Sequence, residues 1–128
     1  MKYLLDTHIL LWMVSSPEKL SKRHLKILSN DASEVYISIA SIWEMGIKIS
    51  LKKLELSIEL EKFVNEHILN NGLGILGLKK EHLFPLAHLP FHHRDPFDRL
   101  LISQSLVDNL TILTADKIFK KYDITSIY

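Results

Sequence analysis

The sequence has 128 residues, a length typical of one domain, so residues 1–128 are expected to form a single folded unit. Hydrophobic residues make up 47% and charged residues 24% of the chain, proportions that exclude a disordered or fibrous protein. The absence of cysteine excludes disulfide frameworks, cysteine-containing metal centres and thiol nucleophiles. The formal net charge of only +1 predicts that any binding of nucleic acid uses a local basic patch.

The apolar residues fall into short runs separated by helical patterns. None of the runs approaches the roughly 20 residues that a membrane-spanning helix needs. Asp6 and His8 also interrupt the first run, where a secretion signal would be apolar. We therefore expect a soluble cytoplasmic protein without a membrane segment.

Runs rich in β-branched and aromatic residues predict short strands over residues 2–5, 35–37, 75–78, 111–114 and 124–127. Apolar residues at helical spacing predict helices over about 7–14, 18–29, 58–70, 96–107 and 115–121. A further helix is expected to start at Ser38 or Ser41 and to reach about residue 49, and a short helix after residue 78 is broken by Pro85 and Pro90. Short buried strands that alternate with helices predict an α/β fold with a mostly parallel sheet.

Acidic residues follow two of the predicted strands. Parallel sheets bind ligands at the carboxyl ends of their strands, near the point where the strand order reverses. Asp6 follows the first strand directly, and Asp116 stands just past the fourth. The two side chains are therefore expected to lie close together. Each Asp also suits the N-cap of the helix that it precedes, and the spacing leaves both interpretations open.

Glu44 lies in the helix that is predicted to end near residue 49. The apolar stripe of this helix is expected to comprise Ile39, Ile42, Trp43, Gly46 and Ile49. Glu44 lies on another face, four residues before Lys48, and this spacing alone favours an exposed ion pair worth about 0.3–0.5 kcal/mol. Trp12 and Trp43 have apolar neighbours and are expected to be core residues that do not stack on bases.

The segment from His92 to Ile102 carries two more carboxylates. Asp95 before Pro96 is typical of a helix start, with Asp95 as the N-cap and Pro96 as the first helical residue. Asp98 is not needed as a cap, so it either interacts with the positive end of the helix dipole or faces a cation. Without cysteine, the neighbouring histidines are interpreted as loop residues and not as a zinc site; they are His88, His92 and His93.

A pocket of four carboxylates would result if these elements converge: Asp6, Glu44, Asp98 and Asp116. Such acids repel one another, and at neutral pH some of them must bind protons or cations. Ligands that are all oxygen favour Mg²⁺ or Mn²⁺ over zinc. These ions suit hydrolysis of a phosphodiester because they activate water and stabilise the charge on phosphorus, and no nucleophilic side chain is then required.

Four stretches follow one another in a recognisable order: Leu4–Thr7, Ser41–Glu44, Asp95–Ile102 and Leu113–Asp116. Together they resemble the PIN domain and, more narrowly, the VapC-type toxins of bacterial toxin–antitoxin pairs. The resemblance implies a Rossmann-like three-layer sandwich and a Mg²⁺- or Mn²⁺-dependent endoribonuclease. It also implies a homodimer and a cognate antitoxin protein that inhibits the toxin.

By motif position, the resemblance assigns metal binding and catalysis to Asp6, Glu44, Asp98 and Asp116. For Glu44 this replaces the interpretation as a surface ion pair. Asp95 belongs to the motif but ranks below the four acids, because capping already explains it. Thr7 and Thr114 match positions whose hydroxyl group supports the acids.

The basic residues nearest to these acids in the sequence are expected to contact RNA phosphates; they are Arg94, Arg99 and Lys117. Two other functions stay open. A receiver-like phosphoacceptor domain would need paired acids after the first strand and an acceptor Asp at the end of the third, where this sequence has Thr7 and Lys79. A PIN-like module that binds RNA or protein without cleavage is also compatible with the sequence.

Overall fold

The computed structural model describes residues 1–128 and contains one five-stranded sheet whose neighbouring strands all run parallel. The strands are β1 (Lys2–Leu5), β2 (Glu34–Ser38), β3 (Gly74–Leu76), β4 (Thr111–Leu113) and β5 (Ser126–Ile127). Their order across the sheet is β3-β2-β1-β4-β5. The predicted α/β fold with a parallel sheet is confirmed, and every predicted strand is present with slightly different ends.

The α-helices are α1 (Thr7–Ser15), α2 (Lys22–Leu28), α3 (Ile39–Ser50), α4 (Leu60–Phe63), α5 (Lys80–Leu83) and α6 (Pro96–Asp108). Short 3₁₀ helices occupy Pro17–Lys19, Phe84–Ala87 and Lys117–Lys121, and a π-helical segment continues α4 over Val64–Leu69. The predicted helix over 18–29 is interrupted because Ser21 caps α2, its hydroxyl accepting the His24 N–H at 3.1 Å. The predicted helix over 115–121 is the last 3₁₀ helix. No helix is both long enough and apolar enough to cross a membrane.

Helices cover both faces of the sheet. Successive residues of a strand point to opposite faces, so each strand contributes side chains to both cores. The core on one face contains Leu4 with Leu101, Ile102, Ile112 and Phe119. The core on the other face contains Leu5 with Ile9, Leu10, Ile37, Met45, Phe63 and Ile68. The result is the predicted three-layer arrangement, in which burial of each large apolar side chain contributes about 1.5–3 kcal/mol.

The buried face of α3 differs from the predicted one. The fully buried residues of this helix are Ala40, Ser41, Glu44 and Met45. By contrast, Trp43 is 58% exposed and Ile39 is 41% exposed, so the prediction that Trp43 is a core residue is wrong. The hydroxyl of Ser38 caps α3 directly at the end of β2 by accepting the Ala40 N–H. On this helix Glu44 faces the start of α1, where the Thr7 hydroxyl lies.

The chain moves outward from β1 through β2 to β3 and then crosses back to β4 on the other side of β1. Leu5 is in register with Ile37 of β2 and with Leu113 of β4. The Asp6 N–H donates to the Leu113 carbonyl at 2.9 Å, which extends the pairing of β1 and β4 by one residue. The carboxyl ends of β1 and β4 thus adjoin at the reversal of strand order, where open α/β sheets bind their ligands.

Candidate metal centre

Asp6 lies at the carboxyl end of β1 and is only 2% exposed. Its carboxylate does not cap α1, which removes the N-cap interpretation for this side chain. Instead, the Thr114 hydroxyl donates to Asp6 Oδ2 at 2.7 Å, and His8 Nδ1 lies 3.3 Å from the same oxygen. Burial raises the pKa of the Asp6 carboxyl, an effect that His8 and the Thr114 hydrogen bond counteract.

Glu44 projects from α3 and is 5% exposed. Thr7 Oγ1 lies 2.8 Å from Glu44 Oε1 and 2.9 Å from Ser41 Oγ, so Thr7 donates to the carboxylate and accepts from Ser41. Lys48 Nζ lies 3.1 Å from Glu44 Oε2, and this hydrogen bond raises the pKa of Lys48. The ion pair that the spacing predicted therefore exists, but its carboxylate is buried beside Asp6, whose pKa the Glu44 charge raises.

Asp95 is the N-cap of α6, as predicted. Its Oδ1 accepts the Phe97 N–H at 2.8 Å and the Asp98 N–H at 3.3 Å, and Pro96 is the first residue of the helix. Asp95 Oδ1 is used to cap the start of α6. The Asp98 carboxylate, by contrast, accepts no hydrogen bond from a backbone N–H. The two acids of this segment thus differ in environment.

Asp98 is the most strongly perturbed acid of the cluster. Its pKa is raised to about 8, first by burial and then by the negative charges of Asp6, Asp95, Glu44 and Asp116. The structure therefore brings the other three predicted acids, together with Asp95, within electrostatic reach of the Asp98 carboxyl group. At neutral pH this group holds a proton unless a cation compensates the charge.

Asp116 follows β4 and serves two contacts at once. Its Oδ1 accepts the Ile118 N–H at 3.0 Å and caps the last 3₁₀ helix, as one of the two interpretations proposed. Its Oδ2 lies 2.9 Å from His93 Nε2. The Asp116 N–H donates to Thr114 Oγ1 at 3.0 Å, so the Thr114 hydroxyl links Asp116 to Asp6.

His93 belongs to the acid cluster, and the sequence analysis missed it. Its Nε2 lies 2.9 Å from Asp98 Oδ2 as well as from Asp116 Oδ2. Donor atoms of His93, Asp98 and Asp116 all lie within 4.8 Å of one another. The position of His93 two residues before Asp95 was the available signal, but it does not show where a loop side chain points. His88 is exposed and His92 packs edge-on against Tyr122, so neither joins the cluster.

Arg99 does not have the predicted role. Its guanidinium is buried and donates to the carbonyls of Pro90 at 2.8 Å and Leu89 at 3.0 Å, with its carbon 3.9 Å from the Phe91 ring centre. The prediction that Arg99 contacts RNA phosphates is therefore wrong, because its donors already hold the loop before α6. Arg94 and Lys117 are exposed.

The two tryptophans pack against apolar and aromatic neighbours. Trp12 is half-buried and packs against the core on the α1 side, as predicted. Trp43 packs edge-on against Phe97 at 5.1 Å and lines an apolar cavity of about 460 Å³ with Phe91, Leu83 and neighbouring residues. No Asp or Glu side chain lines this apolar groove.

The donor set of the pocket fits a hard divalent cation. Its carboxylates come from four separate segments, and the basic side chains beside them are His8, His93 and Lys48, whose ammonium is about half exposed. Burial and the charges of the neighbouring acids together raise the pKa of Asp98. Carboxylate oxygens are the donors that Mg²⁺ and Mn²⁺ prefer. Asp6, Glu44, Asp98 and Asp116 are the residues that could hold such an ion.

A parallel α/β sheet with a buried acidic pocket at the reversal of strand order defines a Rossmann-like protein with a candidate site for a divalent cation. The family model described as "PIN domain" matches residues 3–124. The chain belongs to the PIN domain family. No curated protein matches the chain by sequence.

Solved structures with the same fold include two-component complexes. VapBC2 from Rickettsia felis, bound to a DNA fragment from its promoter, is similar with a TM-score of 0.75 and 17% identity, over 99% of this chain and 98% of that chain. FitAcB from Neisseria gonorrhoeae has a TM-score of 0.69 and 17% identity, over 98% and 96%. VapBC-1 from nontypeable Haemophilus influenzae has a TM-score of 0.63 and 18% identity, over 99% and 97%. At these identities the similarity shows the fold.

Proposed function

We propose that residues 1–128 form one domain that acts as a divalent-metal-dependent endoribonuclease, with Mg²⁺ or Mn²⁺ held by Asp6, Glu44, Asp98 and Asp116. The observation that carries this proposal is the environment of Asp98. Its pKa of about 8 reflects a buried site where four other acids add negative charge. A divalent cation would relieve this repulsion and is the ligand that such a site binds best. Membership of the PIN domain family supports the same function.

When bound, the cation activates water and offsets the negative charge that develops on the phosphate. The protein supplies the geometry. Thr7 and Thr114 each hold one carboxylate through a hydroxyl at 2.8 and 2.7 Å, which fixes Glu44 and Asp6 without exposing them to solvent. We propose that these hydroxyls support the two acids, a role that the hydrogen bonds favour. No side-chain nucleophile is required, since water is the attacking group.

Basic side chains at the edge of the pocket are proposed to bind the RNA backbone. Arg94 and Lys117 are exposed next to Asp95 and Asp116, and both can reach phosphates without loss of a structural contact. Lys48 is a further candidate that the sequence analysis did not propose. The charges of Asp95 and Asp98 both raise its pKa, so its ammonium group lies near the pocket.

We also infer that the protein is the VapC-type toxin of a toxin–antitoxin pair that acts in the cytoplasm. The similarity in fold to VapBC2, FitAcB and VapBC-1 supports this inference. The toxin assignment also implies that an antitoxin protein is the partner and that the chain assembles as a homodimer. Expression of the chain alone in a bacterium is expected to arrest growth, and co-expression of its antitoxin is expected to restore it. Normal growth with the chain alone would contradict the toxin assignment but not the nuclease assignment.

The nuclease assignment is tested with purified protein and end-labelled RNA. Cleavage is expected with Mn²⁺ or Mg²⁺ and is expected to stop with EDTA. Asp98→Asn should slow cleavage by at least about 100-fold, because it removes a charged ligand and keeps the size of the side chain. Asp31→Asn is the matched control, since Asp31 is exposed and precedes the start of β2, at the opposite edge of the parallel sheet from the carboxyl ends. If the Asp98→Asn variant cleaved RNA at the wild-type rate, the site assignment would be wrong. If the wild-type protein bound RNA without cleaving it, the result would favour a non-catalytic module.

A further inference from the structure

One ring nitrogen of His93 faces two of the proposed ligands. Nε2 lies 2.9 Å from Asp98 Oδ2 and 2.9 Å from Asp116 Oδ2. The backbone around the ring is held in place, because the His93 N–H donates to the Tyr122 hydroxyl at 2.7 Å. The Arg99 guanidinium also donates to the His93 carbonyl at 3.4 Å. His93 is therefore a fixed part of the pocket wall.

The other ring nitrogen determines which nitrogen carries the proton. Nδ1 of His93 accepts the backbone N–H of Asp95 at 3.2 Å. A ring nitrogen that accepts a hydrogen bond has no proton, so the proton of the neutral ring is on Nε2. In this tautomer the single Nε2–H donates to Asp116 Oδ2, with Asp98 Oδ2 at the same distance from the nitrogen, and Nε2 has no lone pair available to a metal ion.

Two other histidines show the same arrangement. Nδ1 of His24 accepts the Ser21 N–H at 3.4 Å, and its Nε2 lies 2.8 Å from the Ile127 carbonyl oxygen. A carbonyl oxygen only accepts hydrogen bonds, so Nε2 of His24 carries a proton. His82 repeats the pattern, with Nδ1 accepting the Lys79 N–H at 2.9 Å and Nε2 lying 2.8 Å from an Asp108 oxygen. In this protein a nearby backbone N–H thus selects the tautomer with the proton on Nε2.

We propose that His93 is a positioning residue whose Nε2–H bridges Asp98 and Asp116 and competes with the divalent cation for their oxygens. This inference rests on the proposed function, which places the cation at those carboxylates. His93 is then not a ligand. It donates to the acids in the cation-free protein, and this hydrogen bond is lost or weakened when the cation binds.

Removal of the ring is expected to strengthen cation binding, because Asp116 keeps a second contact and the backbone of Asp98 is held in the first turn of α6. Asp116 keeps the Ile118 N–H on Oδ1, and Asp98 lies in the first turn of α6, whose start is capped by Asp95. Loss of the Nε2–H therefore removes a competitor without releasing the ligands. Hydrogen bonds to charged groups are strong enough for the change in affinity to be about 3- to 10-fold.

The experiment is a titration of Mn²⁺ into the full chain, with free Mn²⁺ measured by electron paramagnetic resonance. His93→Ala should bind Mn²⁺ about 3- to 10-fold more tightly than wild type. His93→Gln, which retains an N–H donor, should bind more nearly like wild type. His92→Ala is the matched control, because His92 is the exposed neighbour whose ring contacts Tyr122 and not the acids. Circular dichroism in EDTA verifies that each variant is folded.

Pulsed electron paramagnetic resonance of the Mn²⁺-loaded proteins gives a second readout that does not depend on activity. Every nitrogen coupling seen with wild type should also be present with His93→Ala. A coupling that disappears in His93→Ala would overturn the inference, and so would unchanged or weaker Mn²⁺ binding by this variant. If wild type binds no Mn²⁺, or if Asp98→Asn binds it as well as wild type does, the proposed metal site itself fails. The two failures are therefore distinguishable.

Discussion

The hydroxyl of Thr114 donates to the carboxylate of Asp6 at 2.7 Å, although the two residues are 108 positions apart in the chain. The bond joins the carboxyl end of β4 to that of β1 on neighbouring parallel strands. Thr114 Oγ1 also accepts the Asp116 N–H at 3.0 Å. One hydroxyl thus connects two of the proposed ligands.

We predict that Thr114→Val destabilises the protein by about 1–3 kcal/mol, because a buried carboxylate loses its donor and a backbone N–H loses its acceptor while the side-chain volume is kept. The measurement is urea unfolding at neutral pH without metal. Thr125→Val is the control, since Thr125 is exposed, and its effect should stay within about 0.5 kcal/mol. Equal effects of the two substitutions would contradict the structural role of Thr114.

The raised pKa of Asp98 predicts how the cation-free protein responds to pH. Between the ordinary value of 3.8 and the folded value of about 8, this carboxyl is protonated in the folded chain and ionised in the unfolded chain. The folded state then binds more protons, so stability falls as pH rises through this window. The contribution of one group cannot exceed about 1.4 kcal/mol per pH unit. Asp6, whose pKa is also raised, acts in the same direction.

This pH dependence is measured by urea unfolding in EDTA at several pH values from 4 to 8. Asp98→Asn should gain stability relative to wild type as the pH rises, since the amide does not ionise. Asp31→Asn should follow the wild-type curve, because Asp31 is exposed. A constant difference between Asp98→Asn and wild type across this range would show that Asp98 ionises normally in the folded protein.

Divalent cations should raise the melting temperature of the wild-type protein. A ligand that binds only the folded state stabilises it by about 2.7 kcal/mol at a concentration 100 times its Kd. Asp6→Asn and Asp98→Asn should lose most of this response, because each removes a charged oxygen donor from the pocket. The check is thermal unfolding with Mn²⁺ and with EDTA. An undiminished Mn²⁺ response in both variants would place the binding site elsewhere.

Arg94 and Arg99 are close in sequence but should respond differently to substitution. Arg99→Gln is expected to cost about 2–4 kcal/mol of stability, because the carbonyls of Leu89 and Pro90 lose a charged donor that is itself buried. Arg94→Gln should change stability by less than about 0.5 kcal/mol, as is usual for an exposed residue, and should weaken RNA binding.

The comparison of these two variants uses urea unfolding together with binding of a non-cleavable RNA at two salt concentrations. Arg94→Gln should lower the salt dependence of RNA binding, since one phosphate contact is lost. If Arg99→Gln kept wild-type stability and alone weakened RNA binding, the role assigned to the buried guanidinium would be wrong.

Several features of the fold follow from local sequence patterns that indicate the same structure in any protein. Strands such as Thr111–Leu113 are short and apolar on both faces, which suits the interior of a parallel sheet. The Asp95-Pro96 pair specifies a helix start through its own geometry, and the structure contains that start. The proximity of Asp6 and Asp116 also follows, because the ends of neighbouring parallel strands meet at one edge.

The remaining features depend on contacts between segments that are distant in the chain. Glu44 is buried because α3 packs with this side towards Thr7, whereas its local spacing to Lys48 favoured a surface pair. His93 points at the acids and Arg99 at loop carbonyls, although both residues belong to one short basic segment. The direction of a side chain on a loop or on a half-buried helix is chosen by whichever distant partner satisfies it. Periodicity records which residues share a face, but the packing of the neighbours selects the face that becomes the interior.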